Sequence, residues 1–375
     1  MMVAESLHSL RGRKVFVTGH TGFKGSWLLL LLDRLGATVT GYSLAAPTQP
    51  SLFEAARLVD LVTTHHEADI RDAPRLAAAV RAADPDIVLH LAAQPLVRLS
   101  HREPLDTFST NVIGTASLLD AVRKADKPCV LISVTSDKCY EPHASGQPHG
   151  EADPLGGHDP YSASKGAAEL VAAAYRRSFF PPRRLDEHGV QLATVRAGNV
   201  IGGGDWAEDR IITDIVRHLV AGEAVPVRNP AAVRPWQHVL EPLSGYLSLA
   251  AEMLATPAAE WCTGWNFGPT ADDDITVQQL TEIFIEAWGT GCWKDMHDPQ
   301  APIETHVLRL AIDKVLAGLP WRPRFSSREA IHRTAAWFRA YEADPSSARS
   351  LCHADIEAYE HAKAIAPMAS PGGNA

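Results

Sequence analysis

Two short stretches carry side chains whose types and spacing can do chemistry. Residues 135–140 read TSDKCY and set a hydroxyl, a carboxylic acid and an amine side by side at Ser136, Asp137 and Lys138. Residues 161–165 read YSASK, with Tyr161 and Lys165 four positions apart. On a helix such positions share a face, so Lys165 is placed to hold its ammonium beside the Tyr161 phenol. A neighbouring cation lowers the pKa of a phenol from about 10, and the resulting base takes a proton from an alcohol as hydride leaves the same carbon. Ser136 adds a hydrogen bond to the reacting oxygen. Hydride transfer needs no more than Ser136, Tyr161 and Lys165. Asp137 and Lys138 are surplus to it, and a surplus acid and base point to a second reaction. Each stretch alone has an ordinary reading: Y-x-x-x-K as a solvated helix face, and TSDKCY as a polar strand exit with Asp137 capping the next turn. The surrounding elements decide between the two.

Those elements begin with TGHTGFKG at 18–25, which follows an apolar strand and opens a helix, with Gly19, Gly22 and Gly25 spaced G-x-x-G-x-x-G. Glycines let the backbone approach a pyrophosphate, and the helix N-terminus supplies N–H donors and partial positive charge. The turn predicts a dinucleotide site. The acid that commonly hydrogen-bonds the ribose of NAD at the end of the second strand is missing; the chain reads GYSLAAPTQ there, with no arginine to receive a 2′-phosphate. NAD is therefore the expected cofactor, with Ser43 as a ribose contact.

Apolar runs and helical patterns alternate through the first two-thirds of the chain: strands at 14–18, 37–42, 86–92, 129–134 and 191–197, helices near 23–35, 72–83, 104–125 and 160–179. The alternation predicts α/β architecture, a Rossmann-type doubly wound parallel sheet, with TSDKCY leaving a strand at the edge where ligands bind. Beyond GGGDW (202–206) the pattern changes to helices and Pro- and Gly-containing loops. The expected organisation is an NAD-binding domain over 1–185, with returning segments at 191–200 and 236–268, a smaller mixed substrate-binding region over 200–345, and a disordered tail over 360–375.

At 375 residues with 46% apolar and 21% charged side chains and a net charge of −9, the chain suits small-molecule partners rather than nucleic acid or a membrane surface. Five dispersed cysteines without a C-x-x-C pair speak against a disulfide framework or a zinc site and for a cytoplasmic location. His65 and His66 would point to opposite faces of a strand. The start lacks a signal-peptide pattern, and the run WLLLLL at 27–32 is too short to span a membrane. No metal is expected.

Together with PTQPSLFE (47–54), ADIRD (68–72), HLAAQPLVRLS (90–100), DPYSASKGAAELV (159–171), RAGNVIGGGDWAEDR (196–210), RPWQHVLEPLSGYL (234–247) and WNFGP (265–269), these motifs run in order from about residue 12 to 340. The sequence resembles the extended short-chain dehydrogenase/reductase family in its nucleotide-sugar-modifying, NAD-dependent epimerase/dehydratase group, and within it the branch that dehydrates CDP-glucose. The resemblance implies that Gly19, Thr21, Gly22, Phe23, Lys24 and Gly25 line the pyrophosphate turn, that Asp69 and Ile70 flank the adenine, and that Leu91, Ala92, Ala93 and Asn111 lie along the cofactor. It implies that Asn199 and Arg234 contact the nucleotide sugar, with Arg210 a second diphosphate candidate. The implied reaction is oxidation at position 4 of the glucose, elimination of water across 5 and 6, and hydride return to position 6, in a lyase that recycles NAD and serves deoxysugar biosynthesis such as that of O-antigen. Asp137 would be the acid. Lys138 would be the base or, staying charged, would stabilise the enolate. A 4-epimerase, a dehydratase for another nucleotide sugar and a non-catalytic nucleotide-binding scaffold remain open at this point. Homodimerisation through the helices at 104–125 and 160–179 is also implied. Trp206 and Trp236 read as core, Thr135 and Cys139 as packing.

Overall fold

A computed structural model describes residues 7–142, 146–270, 273–297 and 308–365. The apolar runs become a parallel sheet: β1 (Lys14–Thr18), β2 (Thr38–Ser43), β3 (Thr64–Glu67), β4 (Ile87–His90), β5 (Cys129–Val134), β6 (Val190–Arg196) and β7 (Gly264–Asn266). Their spatial order is β7-β6-β5-β4-β1-β2-β3, so the chain starts at the middle, winds outward to one edge and then returns to fill the other. β4, β5 and β6 are buried along almost every residue, which is why they read as unbroken apolar runs. β3, with the sequence THHE, is an edge strand paired only with β2 and largely exposed, so it lacks the apolar signature and is absent from the sequence-based set. Its two histidines do point to opposite faces, His65 to His20 (Nδ1 to Nε2, 2.8 Å) and His66 to Tyr42.

Helices cover both faces. α1 (Phe23–Arg34) carries the apolar run, and Trp27, Leu28, Leu29, Leu30 and Leu32 are buried. α2 (Ala73–Ala83) starts where Asp72 accepts from the Arg75 backbone N–H at 3.1 Å and Pro74 sits in the first turn; the left-handed Asp84 (φ 46°) ends it. The expected helix at 104–125 is broken into Pro104–Phe108, a π-helical turn over Ser109–Ile113, and α3 (Gly114–Ala125). The 19-residue α4 (Pro160–Ser178) is capped by Asp159, whose carboxylate accepts from the Ser162 N–H at 2.9 Å.

Past β6 the fold is mixed, as expected. Short strand pairs (Val200–Ile201 with Gln237–His238, Val225–Val227 with Trp293–Asp295, Val233–Arg234 with Ile275–Thr276) alternate with helices. Two of these helices are α5 (Ile211–Val220) and α6 (Leu240–Ala255), the latter buried nearly all round. Trp206 stacks among Trp337, Phe338 and Tyr341, and Trp236 is buried, so both belong to the core. The stretch expected to be disordered from 360 begins inside the last helix, Ala348–His361; residues 366–375 lie outside the described residues. No helix among the described residues is long and apolar enough to cross a membrane.

Candidate active site

The site forms where β1, β4, β5 and β6 deliver their carboxyl ends. After β1 the chain turns at Gly19, whose φ of +74° favours glycine, and a Cβ there would lie 2.6 Å from the Ala92 backbone nitrogen in the turn after β4. At Gly25 a Cβ would sit 2.2 Å from the Gly19 carbonyl oxygen, so helix α1 can approach its own turn only without one. Gly22 differs: the nearest protein atom to a Cβ there is 3.5 Å away, and no side chain caps the helix it begins. The polypeptide itself leaves this position free and leaves the α1 N-terminus open, as a bound pyrophosphate requires. Gly25→Ala is expected to lower Tm, overpacking of this kind costing about 1–3 kcal/mol. Gly22→Ala is expected to melt like the parent and to bind NAD more weakly. Melting curves paired with an NAD titration check both.

β5 ends at Val134 and the TSDKCY turn follows. Ser136 and Asp137 are buried, with Ser136 Oγ donating to Asp137 Oδ1 at 2.9 Å and accepting the Lys138 backbone N–H at 3.2 Å. Burial pushes the Asp137 carboxyl above its ordinary range, against the pull of Lys138, Ser136 and Lys24. Helix α4 brings in Tyr161 and Lys165, both buried. Burial raises the Tyr161 phenol to about 12, opposed by a hydrogen bond with Ser136 and by the charge of Arg210. Burial lowers the Lys165 amine to about 8, and its Nζ donates to the Val134 carbonyl at 3.4 Å. Where a lowering by Lys165 is expected, burial raises the phenol instead, and the cation that opposes the rise is Arg210. Lys24, pushed down to about 8 by burial, feels the charges of Arg210, Lys165, Asp137 and Asp205. Ser136, Asp137, Tyr161, Lys165, Lys24 and Arg210 therefore form one cluster.

The remaining expected residues divide. Lys138 is exposed, without the burial that a neutral lysine base needs. Ser43 is buried with its hydroxyl 2.8 Å from Thr21 Oγ1, so it braces the pyrophosphate turn. The Asp69 carboxylate is taken by the Arg71 fork (2.6–3.0 Å), which holds it below its ordinary range, and Ile70 packs into the core. Leu91, Ala92 and Ala93 are half-buried at the end of β4. Asn111 is buried in the π turn, its Nδ2 donating to Ser164 Oγ at 2.8 Å and its Oδ1 accepting from the Gln94 N–H at 2.8 Å; it locks α4 against the loop after β4. Asn199 adopts φ +45° just beyond β6, and its carbonyl accepts from the Gln237 N–H at 3.2 Å. Half-buried Arg234 donates Nη1 to the Val233 carbonyl at 2.9 Å. A cleft lined by Asp137, Gly198, Gln237, Phe267 and Thr270 opens onto the acid. Sequence reasoning missed Gln237, and it missed that Thr135 is more than packing: its hydroxyl donates to buried Glu169 at 2.6 Å. A charged Glu inside the small-residue helix GAAELVAAA was the available signal.

A glycine turn feeding an open helix end, a Ser-Tyr-Lys set at the carboxyl edge of a doubly wound sheet and a buried acid beside it define a nucleotide-cofactor enzyme of the short-chain dehydrogenase type. The chain matches the NAD dependent epimerase/dehydratase family over residues 15–258 and belongs to that family. It is 49% identical over 331 residues to the CDP-glucose 4,6-dehydratase of Salmonella typhimurium, covering 88% of this chain and 92% of the relative. To the dTDP-glucose 4,6-dehydratase of Streptomyces antibioticus it is 32% identical over 284 residues, 75% of this chain and 77% of the other. The crystal structure of the dTDP-glucose 4,6-dehydratase of Streptomyces venezuelae with NAD bound aligns with a TM-score of 0.71 at 26% identity, covering 88% of this chain and 99% of that one. NAD is the cofactor, and the open pyrophosphate turn fits it.

Proposed function

We propose that this protein converts CDP-D-glucose to CDP-4-keto-6-deoxy-D-glucose and water. The observation that carries the reading is Asp137: a buried carboxyl, raised above its ordinary range, 2.9 Å from Ser136 in a hydride-transfer site. Burial favours the protonated form of such a group, which suits it to give a proton, and exchange of configuration at one carbon has no use for it. The similarity to a CDP-glucose 4,6-dehydratase supports the same substrate.

Bound NAD supplies the acceptor and donor of hydride. Gly19, Thr21, Gly22, Phe23, Lys24 and Gly25 hold its pyrophosphate, with Leu91 to Ala93 beside it. Tyr161 takes the proton from the 4-hydroxyl while Ser136 orients that oxygen. Lys165 and Arg210 keep positive charge near the phenol as it ionises. The ketone acidifies carbon 5: its proton passes to water, the bond from carbon 6 to its hydroxyl breaks, and Asp137 protonates that hydroxyl so that it leaves as water. Lys138, exposed at the rim of the turn, stabilises the enolate with its charge. Arg234 and Asn199 bind the nucleotide diphosphate and sugar, a guanidinium suiting phosphate oxygens. Residues 1–185 with the returning segments at 191–200 and 236–268 form the cofactor domain and 200–345 predominantly the substrate region, in a cytoplasmic enzyme.

Incubation with the CDP, dTDP, GDP and UDP forms of glucose, followed by the alkali-induced absorbance of a 4-keto-6-deoxy sugar, tests the reading. The CDP form should give product fastest; no product above background would sink it.

The same reading includes a homodimer. Leu105, Ile113, Leu170 and Phe179 are exposed apolar side chains on the neighbouring helical segments that begin at Pro104 and Pro160, or just beyond them. An apolar surface on paired helices suits a two-fold four-helix interface. Leu170→Arg is expected to convert the dimer to monomer in sedimentation measurements; a parent protein that sediments as a monomer would contradict this.

A further inference from the structure

A single buried network grips the catalytic turn at both ends. Glu169 on α4 and Arg196 at the end of β6, each almost fully buried, form a two-point ion pair: Nε to Oε1 at 2.8 Å and Nη2 to Oε2 at 3.0 Å. Each carboxylate oxygen accepts one more bond, Oε1 from Thr135 Oγ1 at 2.6 Å and Oε2 from Thr194 Oγ1 at 2.7 Å. The remaining guanidinium nitrogen, Nη1, donates to Tyr140 Oη at 2.5 Å and to the Glu151 carbonyl at 3.2 Å. Tyr140 in turn donates to Asn266 Oδ1 at 2.8 Å on β7, its ring lying under the guanidinium (4.9 Å) and stacked on His149 (4.8 Å).

The connectivity is what matters. Thr135 and Tyr140 bracket Ser136, Asp137 and Lys138, and Glu169 lies one helical turn beyond Lys165, on the same face of α4. One ion pair therefore ties the two catalytic stretches to each other and to two strands. A buried pair is poor evidence of stability, because apolar side chains of the same volume commonly serve as well. What a fully satisfied pair does provide is fixed geometry.

We propose that Glu169 and Arg196 are positioning residues for the dehydration, holding the Ser136–Lys138 turn at its working distance from Tyr161 and Lys165, and that Glu169 is the buried counter-charge of Lys165. The proposal rests on the dehydratase reading. The titratable groups around Lys165 come from four elements: Glu169 on its own helix, Cys139 in the catalytic turn, His90 on β4, pushed down to about 3 by burial and so neutral, and Lys24 on α1. Of these, Glu169 sustains its ammonium, while burial pushes the Cys139 thiol well above its ordinary value and so keeps it uncharged. Burial alone would raise the Glu169 carboxyl, but the bonds from Arg196, Thr135 and Thr194 keep it below its ordinary range and so ionised.

Glu169→Gln keeps the shape and removes the charge. The expected result is a KM for CDP-glucose within about twofold of the parent and a kcat down about tenfold or more. The limb of the kcat profile that Lys165 sets should move to lower pH by about one unit, since Lys165 loses its counter-charge. A folded variant with unchanged kcat and an unmoved limb would overturn the proposal, as would a loss shared by Tm, KM and kcat with the limb in place. If Glu169→Gln does not fold, Tyr140→Phe decides, because it cuts one of the two ties to the turn and leaves the ion pair intact: kcat should fall several-fold with Tm and KM held, and parent-like kcat would overturn the proposal. The parent protein is the control. No turnover of CDP-glucose by the parent means that the functional reading fails; turnover by the parent and equal turnover by the variants means that only the clamp fails.

Discussion

Replacing Tyr161 by Phe should cut turnover of CDP-glucose by about 10²–10⁴-fold, the usual contribution of a positioned general base. The ring stays, buried at the start of α4, and the backbone N–H of residue 161 still donates to Ser100 Oγ at 3.1 Å, so Tm should hardly move. The lost group is a phenol that burial raises to about 12 while Ser136 and Arg210 pull it down. Its base form therefore becomes more abundant with rising pH, and with Lys165 near 8 and the phenol near 12 the alkaline limb of the rate profile should report the phenol. Because the Arg210 cation favours the ionised phenol, Arg210→Gln should shift that limb to higher pH. Measuring kcat against pH for the parent and the two variants checks the set, and a Tyr161→Phe protein with near-parental kcat would remove Tyr161 from the mechanism.

Asp137→Asn should separate the two halves of the reaction. The amide is the shape of a protonated carboxyl but gives up no proton, so elimination should slow by about 10²–10⁴-fold while oxidation at position 4 continues. Quenched mixtures analysed by mass should then contain the 4-keto sugar that still carries its 6-hydroxyl. Stability should respond in the opposite direction. A carboxyl raised by burial binds more protons folded than unfolded, so parent stability falls as pH climbs from the ordinary carboxylate range through the raised folded value. The Asn protein lacks that loss and should melt higher than the parent at neutral pH. Unchanged elimination in the variant would assign the acid elsewhere.

How far the sequence disclosed this depended on what kind of force placed each residue. β4, β5 and β6 are buried on both faces, and burial writes itself as apolar runs; β3 sits at the edge, bonded to one neighbour, and THHE carries no such mark. The π turn around Asn111 is invisible to periodicity because it lengthens one helical turn without changing which residues are apolar. Ser136, Tyr161 and Lys165 were legible because strand end and helix spacing place them almost unaided. Asp69 and Ser43 are occupied by Arg71 and Thr21, partners that the motif does not name. Glu169 and Arg196 meet only when α4 folds across β6, a contact between residues 27 apart that no local pattern encodes. Lys138 kept its position in the motif and lacks the burial its role as a base would need.

The most direct test of the central claim follows one hydrogen. CDP-glucose carrying deuterium at carbon 4 should give a product with deuterium on carbon 6, transferred within the same molecule, because oxidation at position 4 and reduction at position 6 occur in one closed site. Deuterium retained on carbon 4 in a product that keeps its 6-hydroxyl, or lost to solvent, would contradict the account.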